Sequence, residues 1–163
     1  MDNKRPFKTL ILCTGNSARS IIGEYLLRAK GMGRFDSYSA GTHPTGTVNP
    51  LALWVLQDLY GIDASGARSK SSEEFKDVNF DFVITVCDKA RESCPVWPGQ
   101  PVIAHWGSPD PAAVDGTDEQ KRRMFLQVAA QIGRRIELMC ALPNRELEKL
   151  QLDRIAAQTP FKP

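Results

Sequence analysis

ILCTGNSARS, residues 11–20, decides the fold. It opens as the end of an apolar run, TLILCT (9–14), with the length of a short buried strand. It closes in the first turn of NSARSIIGEYLLRAKG (16–31), where Ile21, Ile22, Tyr25, Leu26 and Ala29 recur near helical spacing and Gly31 supplies a stop. The order is strand, tight loop, helix, with the Cys13 thiol at the strand end and the Arg19 guanidinium six positions later. Such a loop turns backbone N–H groups inward, and the helix dipole adds roughly half a positive charge. Gly15 is expected to take the unusual backbone angles of the turn and Asn16 to pin it by side-chain hydrogen bonds. Ser17 or Ser20 is expected to donate to the sulfur, and Arg19 to clamp two oxygens of a tetrahedral anion with its planar fork. The expected anion-binding set is Thr14, Gly15, Asn16, Ser17, Ala18, Arg19 and Ser20. In that field Cys13 should ionise below the usual thiol value of about 8.5 and act as a nucleophile. A buried strand-end cysteine beside an unrelated surface arginine is the plainer alternative, and the strand-to-helix placement weighs against it.

Outward from this unit, DSYSAGTHP (36–44) reads as a second strand running into a Gly/Pro loop, and Pro50 opens a helix over 51–60. FDFVITVC (80–87) and PVIAHW (101–106) are the third and fourth strands. A long amphipathic helix is expected from 118 to about 142, and past Pro143 the stretch 144–158 has helical character, with an end expected to fray. Strands alternating with helices imply an α/β fold with a parallel sheet covered on both faces and a ligand site at the carboxyl ends of the strands. Cys13 and Cys87 reach the same edge if their strands are neighbours. One domain spanning 1–163, with a C-terminal extension from about 143, is the expected organisation.

Composition narrows the partners. Hydrophobic residues make up 42% of the 163, enough for a core, and the net charge of +2 leaves no global field for nucleic acid or anionic lipid. The apolar stretch TLILC is too short for a signal peptide or a membrane span, so no membrane and a cytoplasmic location are expected. Four cysteines, Cys13, Cys87, Cys94 and Cys140, lack zinc-type spacing, and no metal is expected. His43 and His105 read as isolated structural residues, Cys140 as core, and Trp54, Trp97 and Trp106 as packing residues. The basic groups 121–123 and 134–135 read as a solvated helix face.

ILCTGNSARS together with YSAGTHPTGTVNP (38–50), VITVCD (83–88), CPVWPG (94–99) and HWGSPDPA (105–112) resembles the arsenate reductases built on the low-molecular-weight tyrosine phosphatase fold. The resemblance covers 7 to about 142. It implies a four-stranded parallel sheet flanked by helices, with Cys13 as nucleophile, Arg19 as anion-binding arginine and Asp110 as general acid. Cys87 and Cys94 fall on the relay cysteines: Cys87 attacks the sulfur of the Cys13–arsenate adduct, and Cys94 resolves the resulting disulfide. No bound cofactor is implied, but an external thiol reductant is, either thioredoxin or glutathione with glutaredoxin; a monomer is expected. On one regular helix the Cα atoms of Cys87 and Cys94 would stand about 10 Å apart, so CDKARESC has to rearrange. Phosphatases of this fold follow the acid with aromatic residues, whereas here Pro111, Ala112 and Ala113 follow. In members that bind potassium beside the loop an acidic residue helps hold the ion, and Lys70 stands in its place, near Glu24 and Ser39. A small phosphatase and a non-catalytic oxyanion binder are the alternatives.

Overall fold

Every strand of the sheet runs in the same direction. The computed structural model describes residues 5–163, and its strands β1 (Phe7–Cys13), β2 (Phe35–Gly41), β3 (Phe82–Thr85) and β4 (Val102–His105) lie in the order β2-β1-β3-β4. All three pairings are parallel, and Cys13 lies opposite Gly41, Leu12 opposite Thr85, and Thr85 opposite His105. Consecutive residues Leu10, Ile11 and Leu12 are each 1% exposed or less, so both faces of the central strand β1 are covered.

Among the described residues five α-helices accompany the sheet: α1 (Arg19–Lys30), α2 (Pro50–Tyr60), α3 (Asp88–Glu92), α4 (Asp118–Ala141) and α5 (Lys149–Gln158). Local chemistry sets their ends. Asn49 caps α2 by accepting from Leu51 N at 2.9 Å, Pro50 follows at the first turn, and Gly61 leaves the helix with φ 65°. Thr117 and Gln120 close a reciprocal capping box at the start of α4. β3 stops at Thr85, which leaves Cys87 outside the strand as the residue before the five-residue α3. Among the described residues no helix is long and apolar enough to cross a membrane.

One expectation fails at the C-terminal side. Arg134 is exposed, but Arg135 is buried at 3% and belongs to no solvated face. The helical character expected past Pro143 appears as α5, which packs against β4, and Trp106 donates from Nε1 to the Leu152 carbonyl at 2.9 Å. Just past α5, the Thr159 carbonyl accepts from Gln131 Nε2 at 2.9 Å and Arg135 Nη2 at 3.1 Å, while its hydroxyl accepts from Arg135 Nε at 2.9 Å. The reason is satisfaction of buried polar groups: a guanidinium under α5 needs acceptors, and the chain end supplies them.

Candidate active site

The loop after β1 is tied from outside. The carbonyls of Cys13, Thr14, Gly15 and Ser17 accept from the backbone N–H groups of Thr42, His43, Thr45 and Asn49 at 2.8–3.0 Å. Because a trans peptide sets its N–H opposite its C=O, the same units aim N–H groups the other way, into a cleft of about 430 Å³ lined by residues 13–19, Cys87 and Asp110. α1 begins at Arg19 with no side-chain cap and no acidic residue in its first turn, so its amide groups are left for an anion. Gly41 is required on the neighbouring strand, since a Cβ there would run into the Thr14 carbonyl.

The left-handed residue of the loop is Asn16, at φ 49°, not Gly15. Gly15 matters for space: a Cβ would stand 3.2 Å from Thr45 Cγ2. The buried Asn16 side chain donates to Ser20 Oγ at 2.8 Å and Ser39 Oγ at 3.0 Å, and accepts from Lys70 N at 2.9 Å. Ser20 is therefore an Asn16 partner, fully buried and outside the cleft lining, whereas Ser17 does line it.

Parallel pairing of β1 with β3 brings Cys13 and Cys87 together, both as free thiols. Their sulfurs lie close enough to titrate as one coupled pair. Cys13 departs from the expected low value: its hydrogen bond to Cys87 and its burial raise it, against the pull of Arg19 and the Thr14 N–H. Cys87 is drawn down to about 5, first by the bond from Cys13, then by the Thr14 hydroxyl, the Ala90 N–H and Arg19, with burial opposing. Thr14 Oγ1 lies 3.2 Å from Cys87 Sγ. The two sulfurs thus share one proton, and the first ionisation of the pair lies well below the usual thiol value.

Arg19 donates from Nη1 to the Ser108 carbonyl at 2.9 Å, and its Nη2 lies 3.9 Å from Asp110 Oδ2. Asp110 is turned by its own cap, Oδ1 accepting from Ala112 N at 3.0 Å, which leaves the second oxygen toward the cleft. Behind this loop stand residues without a distinctive sequence signal: Arg135 donates to the Gly107 carbonyl at 3.0 Å, and Ser108 Oγ donates to Gln131 at 2.9 Å. Polar residues on the core side of α4 were the one available hint.

Cys94 lies apart from the cleft lining, half-buried beyond α3. His43 is exposed, and His105 sits between Thr85 Oγ1 at 2.7 Å and Asp88 Oδ1 at 3.0 Å. The buried Lys70 ammonium lies 3.1 Å from the Arg68 carbonyl, 3.2 Å from Ser39 Oγ, 3.5 Å from Asn16 Oδ1 and 3.7 Å from Glu24 Oε1. Burial lowers its pKa while Glu24 holds it up. An ammonium already occupies the space among these oxygens, so the residues present do not fit a potassium ion there.

A parallel sheet with an anion loop, a cysteine and an arginine defines the class. The chain belongs to the low molecular weight phosphotyrosine protein phosphatase family, which it matches over residues 8–151. Within that class it is similar to reductases. It is 39% identical over 126 residues to an arsenate reductase of Halalkalibacterium halodurans, covering 77% of this chain and 89% of that protein. Identity to a glutaredoxin arsenate reductase of Synechocystis is 30%, covering 82% and 96%. Among solved structures, an arsenate reductase in the phosphate binding state superposes with a TM-score of 0.70 at 30% identity, covering 83% of this chain and 97% of that one.

Proposed function

We propose that this protein is an arsenate reductase that works through Cys13, Cys87 and Cys94. The observation that carries the reading is the close pair of Cys13 and Cys87 in one cleft with Arg19, at the uncapped start of α1. A phosphatase has no use for a second thiol against its nucleophile.

Arsenate settles on the loop amides and Arg19, and an oxygen of the dianion takes the proton of Cys13. The Cys13 thiolate attacks arsenic while Asp110 protonates the departing hydroxide, giving water and a sulfur–arsenic bond. The Cys87 thiolate attacks the Cys13 sulfur; a disulfide forms and the sulfur–arsenic electron pair stays on arsenic, reducing As(V) to As(III). Arsenite takes up protons and leaves. Cys94 then attacks Cys87, Cys13 departs as thiolate, and the Cys87–Cys94 disulfide is returned to thiols by an external dithiol. Thioredoxin and glutathione with glutaredoxin are the two candidates for that reductant, and turnover with each supplied separately chooses between them.

The phosphatase alternative is disfavoured by the cleft, whose lining contains no aromatic ring to hold a tyrosine substrate. The experiment is single-turnover arsenite release with disulfide mapping. Cys94→Ser should release one arsenite per enzyme and stop as Cys13–Cys87, and Cys87→Ser should release almost none. Multiple turnover by Cys94→Ser at the wild-type rate would remove Cys94 from the mechanism.

A further inference from the structure

Trp97 carries the only buried side-chain polar atom among the described residues without a hydrogen-bond partner, its indole Nε1. The residue is 4% exposed, and its ring stands edge-on to Phe80 with centroids 5.4 Å apart and planes at 85°. Phe80, itself 3% exposed, is held in turn by Tyr38 and Phe75. The indole is thus fixed, and a buried N–H left unpaired costs stability that the fold has not recovered elsewhere. The N–H lies beside the half-buried Cys94 sulfur and favours its charged form, while making no hydrogen bond in the resting structure. The thiol points its own weak donor at the Pro95 carbonyl, 3.6 Å away.

We propose that Trp97 is a catalytic donor for Cys94: its indole N–H donates to no partner in the resting enzyme because it is held for the Cys94 thiolate. The inference rests on the relay reading above. A thiol is a poor acceptor and a thiolate a strong one, so the bond forms only when Cys94 gives up its proton, and the unpaired N–H of the resting state is recovered at that moment. Burial alone holds the Cys94 thiol up, and the indole is the group that pulls it back. Attack on the Cys13–Cys87 disulfide needs the thiolate, so the indole sets how much nucleophile is present when that disulfide appears. No proton or electron passes through Trp97. Next to it Val96 is 99% exposed, which leaves the segment open to solvent on its other side.

The test has two arms. In wild type, the indole ¹⁵N–H resonance of Trp97 should move downfield as Cys94 ionises, while that of Trp106, bonded to the Leu152 carbonyl, should not; in Cys94→Ser the titration should vanish. A Trp97 resonance that ignores pH through the ionisation of Cys94 overturns the proposal without any variant that has to fold. In the second arm Trp97→Phe keeps the ring against Phe80 and deletes the donor. Alkylation of Cys94, with the other cysteines changed to Ser, should slow about tenfold at neutral pH and its midpoint rise, the size expected for one hydrogen bond to a charged group. In the enzyme with all cysteines, Trp97→Phe should leave the first arsenite burst unchanged and slow the transfer of the disulfide to Cys87–Cys94. An unaltered alkylation profile refutes the role of Trp97. A normal Trp97 titration combined with full turnover of Cys94→Ser refutes the relay instead.

Discussion

Arg135→Met should loosen the active site from behind. The side chain is 3% exposed, its charge disfavoured by burial, and its four hydrogen-bond acceptors, the Gly107 carbonyl, the Ser108 hydroxyl and the Thr159 carbonyl and hydroxyl, are all neutral. Three of those bonds are 2.9–3.1 Å long. Bonds to a charged donor contribute roughly 1.5–3 kcal/mol each, but removing the buried charge returns several kcal/mol of desolvation, so the net loss should be about 2–3 kcal/mol. For a chain of this size each kcal/mol shifts the melting temperature by about 2–4 °C, which predicts a fall of about 5–10 °C. Activity should drop as well, because Arg19 is aimed by the Ser108 carbonyl and Asp110 follows two residues later. A misplacement of the clamp by less than an ångström is expected to lower kcat about tenfold. Thermal melts and steady-state arsenite release measure both, with the exposed Arg134→Met as a control expected to stay within about 0.5 kcal/mol of wild type. Adding Thr159→Val to Arg135→Met should cost less than the sum of the two singles, since they share a bond. An Arg135→Met enzyme that melts and turns over like wild type would refute the idea that the C-terminal segment braces the acid loop.

Cys13→Ser should abolish arsenate reduction and any phosphatase activity together, with residual turnover above roughly one per cent counting against thiolate attack. Exchanging potassium for sodium at constant ionic strength should leave the rate constants unchanged, because the Lys70 ammonium lies among the Asn16, Ser39 and Glu24 oxygens; a several-fold stimulation by potassium would contradict it. Alkylation of the reduced Cys13–Cys87 pair should show its first ionisation near pH 5, at the lowered value of Cys87, with iodoacetamide capturing a thiolate fully formed at neutral pH and lost as pH falls through about 5. A single midpoint at the ordinary thiol value would mean that the two sulfurs do not share a proton.

What the sequence disclosed follows local physics. An apolar run ending in Cys13 and a helical period beginning near Arg19 are statements about neighbours in the chain, and the strand and helix appear where those patterns lie. Pro50 after Asn49 marks the start of α2 in the same way. Side chains whose partners are distant leave weaker marks. Arg135 stands next to the exposed Arg134 in an amphipathic helix, and nothing nearby in the chain reports that Thr159 will supply its acceptors from 24 residues away. Asn16 was expected to pin the loop, yet its left-handed backbone was assigned to Gly15, since glycine is the commoner tenant of that region. Loop amides and Arg19 are chain neighbours of Cys13 and point to a lowered thiol there, whereas its coupling to a sulfur 74 positions away arises only through the register of β1 and β3.

The brevity of α3 has a kinetic consequence. It spans five residues, buries only Ala90, and closes on Arg91 N to the Cys87 carbonyl at 3.1 Å and Ser93 N to the Lys89 carbonyl at 3.0 Å. A helix of one turn does not repay its nucleation entropy, so its shape is borrowed from its anchors: Cys87 against Thr14, and Asp88 against His105. Helix–coil relaxation takes about 0.1–1 μs even for longer peptides, whereas thiol–disulfide exchange is far slower. Once Cys87 is drawn from its place, the segment samples coil and helix many times before any sulfur is attacked. In the proposed relay the pace is then set by thiolate fraction and leaving-group chemistry, and substitutions that merely strengthen or weaken α3 should change its hydrogen-exchange protection far more than they change turnover.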